Sequence, residues 1–145
     1  MVASIWTMTG PGYDAVSQCR ISGHFLGRKM IDGKRILVVE DEFIVAAMLC
    51  DTLEDHGAMP VGPVGRVSEG LEVIAAGGID AAVLDWNLAG ESGSSLAEAL
   101  AARDVPFIIA TGYGSVDAPF NERPILSKPY VSAHLIEKLS GLFTG

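Results

Sequence analysis

The sequence predicts one α/β domain, a parallel sheet wound with helices on both faces, behind an N-terminal extension. Three observations predict it. From Lys34 onward, short apolar runs alternate with segments of helical period. The runs are continuously apolar rather than alternating, as in strands buried on both faces. Helices between successive strands make parallel βαβ units, and right-handed crossovers put helices on both sides of the sheet.

Residues 35–39 (RILVV) read as the first strand. Residues 42–55 follow with Val45, Met48, Leu49 and Leu53 at helical spacing, and Gly57 stops the helix. Residues 58–64 form a second strand, which Pro60 and Pro63 confine to an edge. Ser68 caps a helix running to Ala76, with Glu69 and Glu72 in its first turns. Residues 80–84 (DAAVL) are a third strand. Ser92, Ser94 or Ser95 caps the next helix, with Leu96, Ala99 and Leu100 inward. Residues 106–110 (PFIIA) and 124–127 supply the fourth and fifth strands, and residues 131–143 the last helix. Its apolar stripe is Leu135, Ile136, Leu139 and Leu142.

A length of 145 residues fits one domain, and 49% hydrophobic with 19% charged residues is too apolar for disorder. The longest run without Asp, Glu, Lys or Arg is residues 1–13, too short and too polar to span a membrane. No basic start leads into an apolar core, which argues against a signal peptide. A net charge of −8 disfavours nucleic acid as partner. Cys19 and Cys50 have no metal or disulfide spacing, and a cytoplasmic location is the expectation. His24, His56 and His134 show no metal spacing either. His56 reads as a helix-end residue.

Residues 1–33 lack a sustained period and are rich in glycine. Three basic and two acidic residues give them +1, leaving −9 for residues 34–145. They are read as a leader or non-native extension, with Met30 as a plausible natural start. The alternative is a short helix around residues 13–19 that packs on the domain or on a partner.

In open parallel sheets, polar sites collect at the carboxyl ends of the strands. The first strand ends in Glu40-Asp41-Glu42, the third in Asp85-Trp86-Asn87, the fourth in Thr111-Gly112-Tyr113 and the fifth in Lys128-Pro129. Clustered carboxylates raise one another's pKa unless a cation resolves them, and oxygen-only ligands favour Mg²⁺. Mg²⁺, Thr and Lys around an Asp suit a phosphoryl group, which a carboxylate can accept as an aspartyl phosphate.

With these residues in place, the chain resembles the receiver domain of two-component response regulators. The resemblance covers residues 34–145 and rests on ILVVEDE at 36–42, VLDWNLAGESG at 83–93, ATG at 110–112 and SKP at 127–129. It implies a flavodoxin-like (βα)5 fold with strand order 2-1-3-4-5. Asp85 resembles the phospho-acceptor, and Glu40 and Asp41 the acidic pair that organises Mg²⁺ together with Asp85. Asn87 resembles the residue whose backbone carbonyl binds the metal. Thr111 resembles the switch hydroxyl and Lys128 the lysine that pairs with the phosphoryl group. Gly93 matches the glycine after the acceptor loop.

Three departures mark an atypical member. Ile125 stands where an aromatic switch residue is usual, and Ala89 where proline is usual. Only 16 residues separate Thr111 from Lys128, among them Pro119 and Pro124, so the fourth helix is expected to be short or irregular. IATGY at 109–113 is similar to the so-called FATGUY receivers, which implies a stand-alone regulator paired with an atypical sensor kinase, often in alphaproteobacteria. The implied partners are a sensor histidine kinase and a downstream protein or phosphotransfer partner, with the receiver a monomer or weak dimer. Its chemistry would be limited to its own phosphotransfer and autodephosphorylation. The output is expected from the 112–123 loop with Tyr113 and Phe120, rather than from a ring at position 125. Tyr113 would cover the site against water, and Trp86 would be a packing or lid residue. The rival reading is a phosphorylation-independent interaction adaptor on the same fold. A free-standing phosphatase is weaker, because little chain remains to build a substrate pocket.

Overall fold

The computed structural model describes residues 30–112 and 116–144. Five parallel strands form its sheet: β1 (Arg35–Val39), β2 (Met59–Val64), β3 (Ala81–Asp85), β4 (Phe107–Thr111) and β5 (Ile125–Ser127). Their order is β2-β1-β3-β4-β5, as expected, and β2 lies at an edge. The four described helices are α1 (Phe43–Asp55), α2 (Val67–Ala76), α3 (Ser94–Ala102) and α4 (Ser132–Gly141).

The strands bury both faces because their side chains alternate between two apolar clusters. Leu37, Val39, Ala82, Leu84, Phe107 and Ile109 pack with α2 and α3. Ile36, Val38, Ala81, Val83 and Ile108 pack with α1 and α4. Ile31 is fully buried in this second cluster, and the Gly33 N–H donates to the Gly57 carbonyl. Ile31 and Gly33 are thus packed against the domain, although both precede Lys34. The helix expected at 13–19 lies outside the described residues.

Several local expectations are corrected. Met48 is exposed and Ala46 takes the inward place on α1. Arg66, not Ser68, stands at the start of α2, and the Glu69 carboxylate reaches back to the Gly65 N–H at 3.4 Å. Gly93 opens α3, while the Ser92 hydroxyl accepts the Ser94 N–H at 3.1 Å. His56 does end α1, with Gly57 following at φ +84°.

An unforeseen antiparallel hairpin joins Asn87–Leu88 to Glu91–Ser92. Its turn places Ala89 at φ +50° and Gly90 at φ +92°. A proline ring holds φ near −65°, so this turn excludes the proline usual at position 89.

Between β4 and β5 the described chain forms no α-helix, only a 3₁₀ turn at Phe120–Glu122. Phe120 is buried there, its ring 6.2 Å from both Trp86 and Phe107. Together with Val116, buried in the same cluster, it anchors a segment that forms no α-helix among the described residues. Phe120→Ala is expected to lower unfolding stability by about 3 kcal/mol in urea denaturation. A loss under about 1 kcal/mol would mean the segment is held elsewhere.

Candidate functional site

The strand order reverses between β1 and β3, so the crevice at their carboxyl ends is where such sheets hold ligands. Glu40 follows β1 and Asp85 ends β3, and both are almost wholly buried. Asp41 is exposed at the mouth. Carboxylate oxygens of Glu40, Asp41 and Asp85 come within 4.8 Å of one another. Such an oxygen-only, acidic donor set fits a hard divalent cation.

Lys128 closes the site from the end of β5. Its ammonium donates to Glu40 Oε1 at 3.0 Å and to Asp85 Oδ2 at 3.2 Å. The backbone sets this reach, because the Lys128 N–H donates to the Thr111 carbonyl at 2.8 Å. Burial opposes the charge on Lys128, but Glu40's hydrogen bond and the charges of Asp85 and Glu40 outweigh it. The lysine pKa consequently lies above its ordinary range. Burial pushes the Glu40 carboxyl up, against hydrogen bonds from Lys128 and the Glu42 N–H. Repulsion from Asp85 contributes less, so desolvation rather than carboxylate crowding dominates here.

The remaining oxygens are also fixed. Asp85 Oδ1 accepts the Asn87 N–H at 3.2 Å, and Glu40 Oε2 accepts the Glu42 N–H at 3.1 Å. The Asn87 side chain turns to the hairpin instead, accepting the Gly90 N–H at 3.1 Å. Thr111 ends β4, beside Asp85's strand. Gly93 supports the acceptor loop from below. Its N–H donates to the Trp86 carbonyl at 2.8 Å, and a Cβ there would lie 2.9 Å from the Asp85 carbonyl oxygen. Gly93→Ala must push on backbone, so a loss of about 1–3 kcal/mol in thermal denaturation is expected. An unchanged midpoint would show that the loop yields freely.

The structure thus brings together Glu40, Asp41, Asp85 and Lys128, with Thr111 and Asn87 at neighbouring strand ends. Ile125 lies apart, partly buried against the α2/α3 cluster. Phe120 is a core residue under Trp86 rather than an exposed one. Tyr113 lies outside the described residues. Sequence reasoning missed Tyr130, whose hydroxyl is buried two residues past Lys128. Its only signal was an aromatic directly after Lys128-Pro129.

Comparisons with known proteins agree with this arrangement. The response regulator receiver domain family matches residues 36–140. The solution structure of SdrG from Sphingomonas melonis Fr1 is 47% identical, with a TM-score of 0.70, covering 77% of this chain and 98% of SdrG. The BeF3-activated conformation of SdrG, from Pseudomonas melonis Fr1, is likewise 47% identical, with a TM-score of 0.66, covering 76% and 96%. A response regulator receiver protein from Sinorhizobium medicae WSM419 is 26% identical with a TM-score of 0.69, covering 77% and 94%. No curated protein sequence matched. Among the described residues no helix is long and apolar enough to cross a membrane. With an ammonium bridging two buried carboxylates at the switch point of a 2-1-3-4-5 sheet, and the family match spanning most of its length, this chain belongs to the response regulator receiver domain family.

Proposed function

We propose that this receiver takes a phosphoryl group from a sensor histidine kinase onto Asp85 and signals through an altered protein-binding surface. The observation that carries the reading is the Lys128 ammonium, 3.2 Å from Asp85 in a buried acidic crevice. Mg²⁺ held by Glu40, Asp41, Asp85 and the Asn87 carbonyl would supply positive charge for the phosphoryl oxygens. Asp85 attacks phosphorus through a carboxylate oxygen. The new O–P bond forms as the bond from phosphorus to the kinase imidazole nitrogen breaks, and the imidazole departs with that electron pair. The Asn87 N–H and Lys128 hold the carboxylate in one orientation beforehand, which removes a rotational cost from the attack. Lys128 then offsets charge on the phosphoryl oxygens, and the Thr111 hydroxyl donates to one of them.

The output follows from the same residues. Thr111 ends β4, and drawing it toward Asp85 moves the start of the 112–123 segment. Phe120 couples that segment to Trp86, the residue after the acceptor. With Ile125 in the usual aromatic position, the 112–123 segment with Tyr113 is the proposed output surface, and the buried Phe120 ties it to the core. A stand-alone, cytoplasmic FATGUY-type regulator, monomeric or weakly dimeric, is the subgroup reading. It rests on IATGY at 109–113 and on the 3₁₀ turn where a fourth helix is usual.

Acetyl phosphate with Mg²⁺ tests the chemistry. A single phosphate adduct by intact mass, absent in Asp85→Asn, is the expected result. If neither acetyl phosphate nor candidate kinases yield an adduct, the acceptor role of Asp85 is wrong and the adaptor reading stands in its place.

A further inference from the structure

The Asn87–Ser92 hairpin leaves the sheet directly after Asp85. Leu88 and Glu91 face each other, so only Ala89 and Gly90 form its turn. Both have positive φ, +50° and +92°, the pattern of the type I′ turn that suits a two-residue hairpin. Glycine takes that conformation freely, but alanine does not. The turn therefore carries strain at Ala89 and needs to be tied from elsewhere. The Asn87 carboxamide supplies one tie, its Oδ1 accepting the Gly90 N–H at 3.1 Å. Leu88, 1% exposed in the α2/α3 cluster, supplies another.

The pairing also decides what Asn87 shows to the site. In an antiparallel ladder, pairs that exchange hydrogen bonds alternate with pairs whose backbone groups face away from each other. The Gly93 N–H donates to the Trp86 carbonyl at 2.8 Å, which puts Trp86 and Gly93 at a bonded position. Asn87 and Ser92, the next pair, then stand at a non-bonded one. The Asn87 N–H and carbonyl consequently turn away from Ser92, to the side where the N–H meets Asp85 Oδ1 at 3.2 Å. If the turn opens, residue 87 is free to rotate and both groups leave the crevice together.

We propose that the Asn87 carboxamide is a positioning group. By holding the Gly90 N–H it keeps the strained turn closed. The closed turn in its place keeps the Asn87 N–H on Asp85 and the Asn87 carbonyl on the same side. The side chain acts through the hairpin, without contact to the cation or to the phosphoryl group. This inference rests on the proposed Mg²⁺ site and adds to it a side chain that the site itself does not use.

The test titrates the full chain with Mg²⁺ alone, by calorimetry. Asn87 and Ala89 are exposed, so substitution there empties no core position. Asn87→Ala keeps the backbone carbonyl and removes the tie, and its Mg²⁺ affinity is expected to fall about tenfold, as when a group supporting a ligand is lost. Adding Ala89→Asn reinforces the turn from another side, because asparagine accepts positive φ and Asn-Gly is a favoured pair for such turns. The double variant is expected to regain most of the lost affinity. In EDTA, amide exchange across residues 87–92 is expected to quicken in Asn87→Ala and to slow again in the double variant. Wild-type affinity or wild-type exchange in Asn87→Ala would overturn the inference. So would a double variant that binds no tighter than Asn87→Ala, which would mean that the carboxamide acts on the cation directly. Those outcomes leave the Mg²⁺ reading standing, whereas a wild type that binds no Mg²⁺ defeats that reading and this inference with it.

Discussion

Asp85→Asn is expected to eliminate the phosphate adduct altogether while leaving the fold intact. The amide oxygen still accepts the Asn87 N–H, so the loop after β3 keeps its anchor. What disappears is the nucleophile, because a neutral amide oxygen does not form a stable bond to phosphorus. One of three carboxylates crowded within 4.8 Å also loses its charge, so Mg²⁺ binding should weaken severalfold. Lys128 retains Glu40 as a partner at 3.0 Å, which limits the damage to stability. Intact mass after acetyl phosphate reads the first effect and Mg²⁺ titration the second. An adduct that persists in Asp85→Asn would place the acceptor on another carboxylate of the cluster, Asp41 or Glu40.

Lys128→Met should have the largest effect on stability. Methionine keeps most of the apolar stem but removes the ammonium. Glu40 and Asp85 have side chains 1% and 7% exposed, and Lys128 is the cation that bridges them. Removing one member of a buried ion pair leaves uncompensated charge and costs about 3 kcal/mol or more. Added Mg²⁺ should recover part of that loss, because a cation among the carboxylates replaces some of the missing positive charge. Thermal midpoints in EDTA and in Mg²⁺ separate the two contributions. The variant is expected to gain more from Mg²⁺ than wild type does, and its phosphotransfer to fall by about a hundredfold. Equal losses in EDTA and Mg²⁺ would mean that Lys128 acts through its packing alone.

Glu40, Asp41, Asp85 and Lys128 were legible in the sequence for a physical reason. A parallel sheet collects its strand ends at one edge, so residues far apart in the chain converge once the strands are recognised. Lys128 lies 88 residues from Glu40, yet both needed only their places at the ends of β5 and β1. The edge position of β2 was legible too, because Pro60 and Pro63 cannot serve a central strand. The shortened fourth helix followed from the 16 residues between Thr111 and Lys128 and the prolines among them.

Other features had no local signature. Met48 fits the helical stripe of α1, yet it is exposed and lines the cleft between α1 and α4. The Asn87–Ser92 hairpin depends on a backbone with two positive φ values, one at an alanine that composition alone would not place there. Phe120 read as a loop residue and is instead a core side chain against Trp86 and Phe107. Tyr130 read as nothing in particular. By itself the sequence determined the strands, the buried faces and the convergence of acidic and basic groups, because these follow from periodicity and chain connectivity, while the strand order was implied by the receiver resemblance. Only the tertiary structure decided which polar atoms found partners. Lys128 bridges two carboxylates while the Tyr130 hydroxyl stays unmatched, because hydrogen bonding depends on distances of a few tenths of an ångström that no residue pattern encodes.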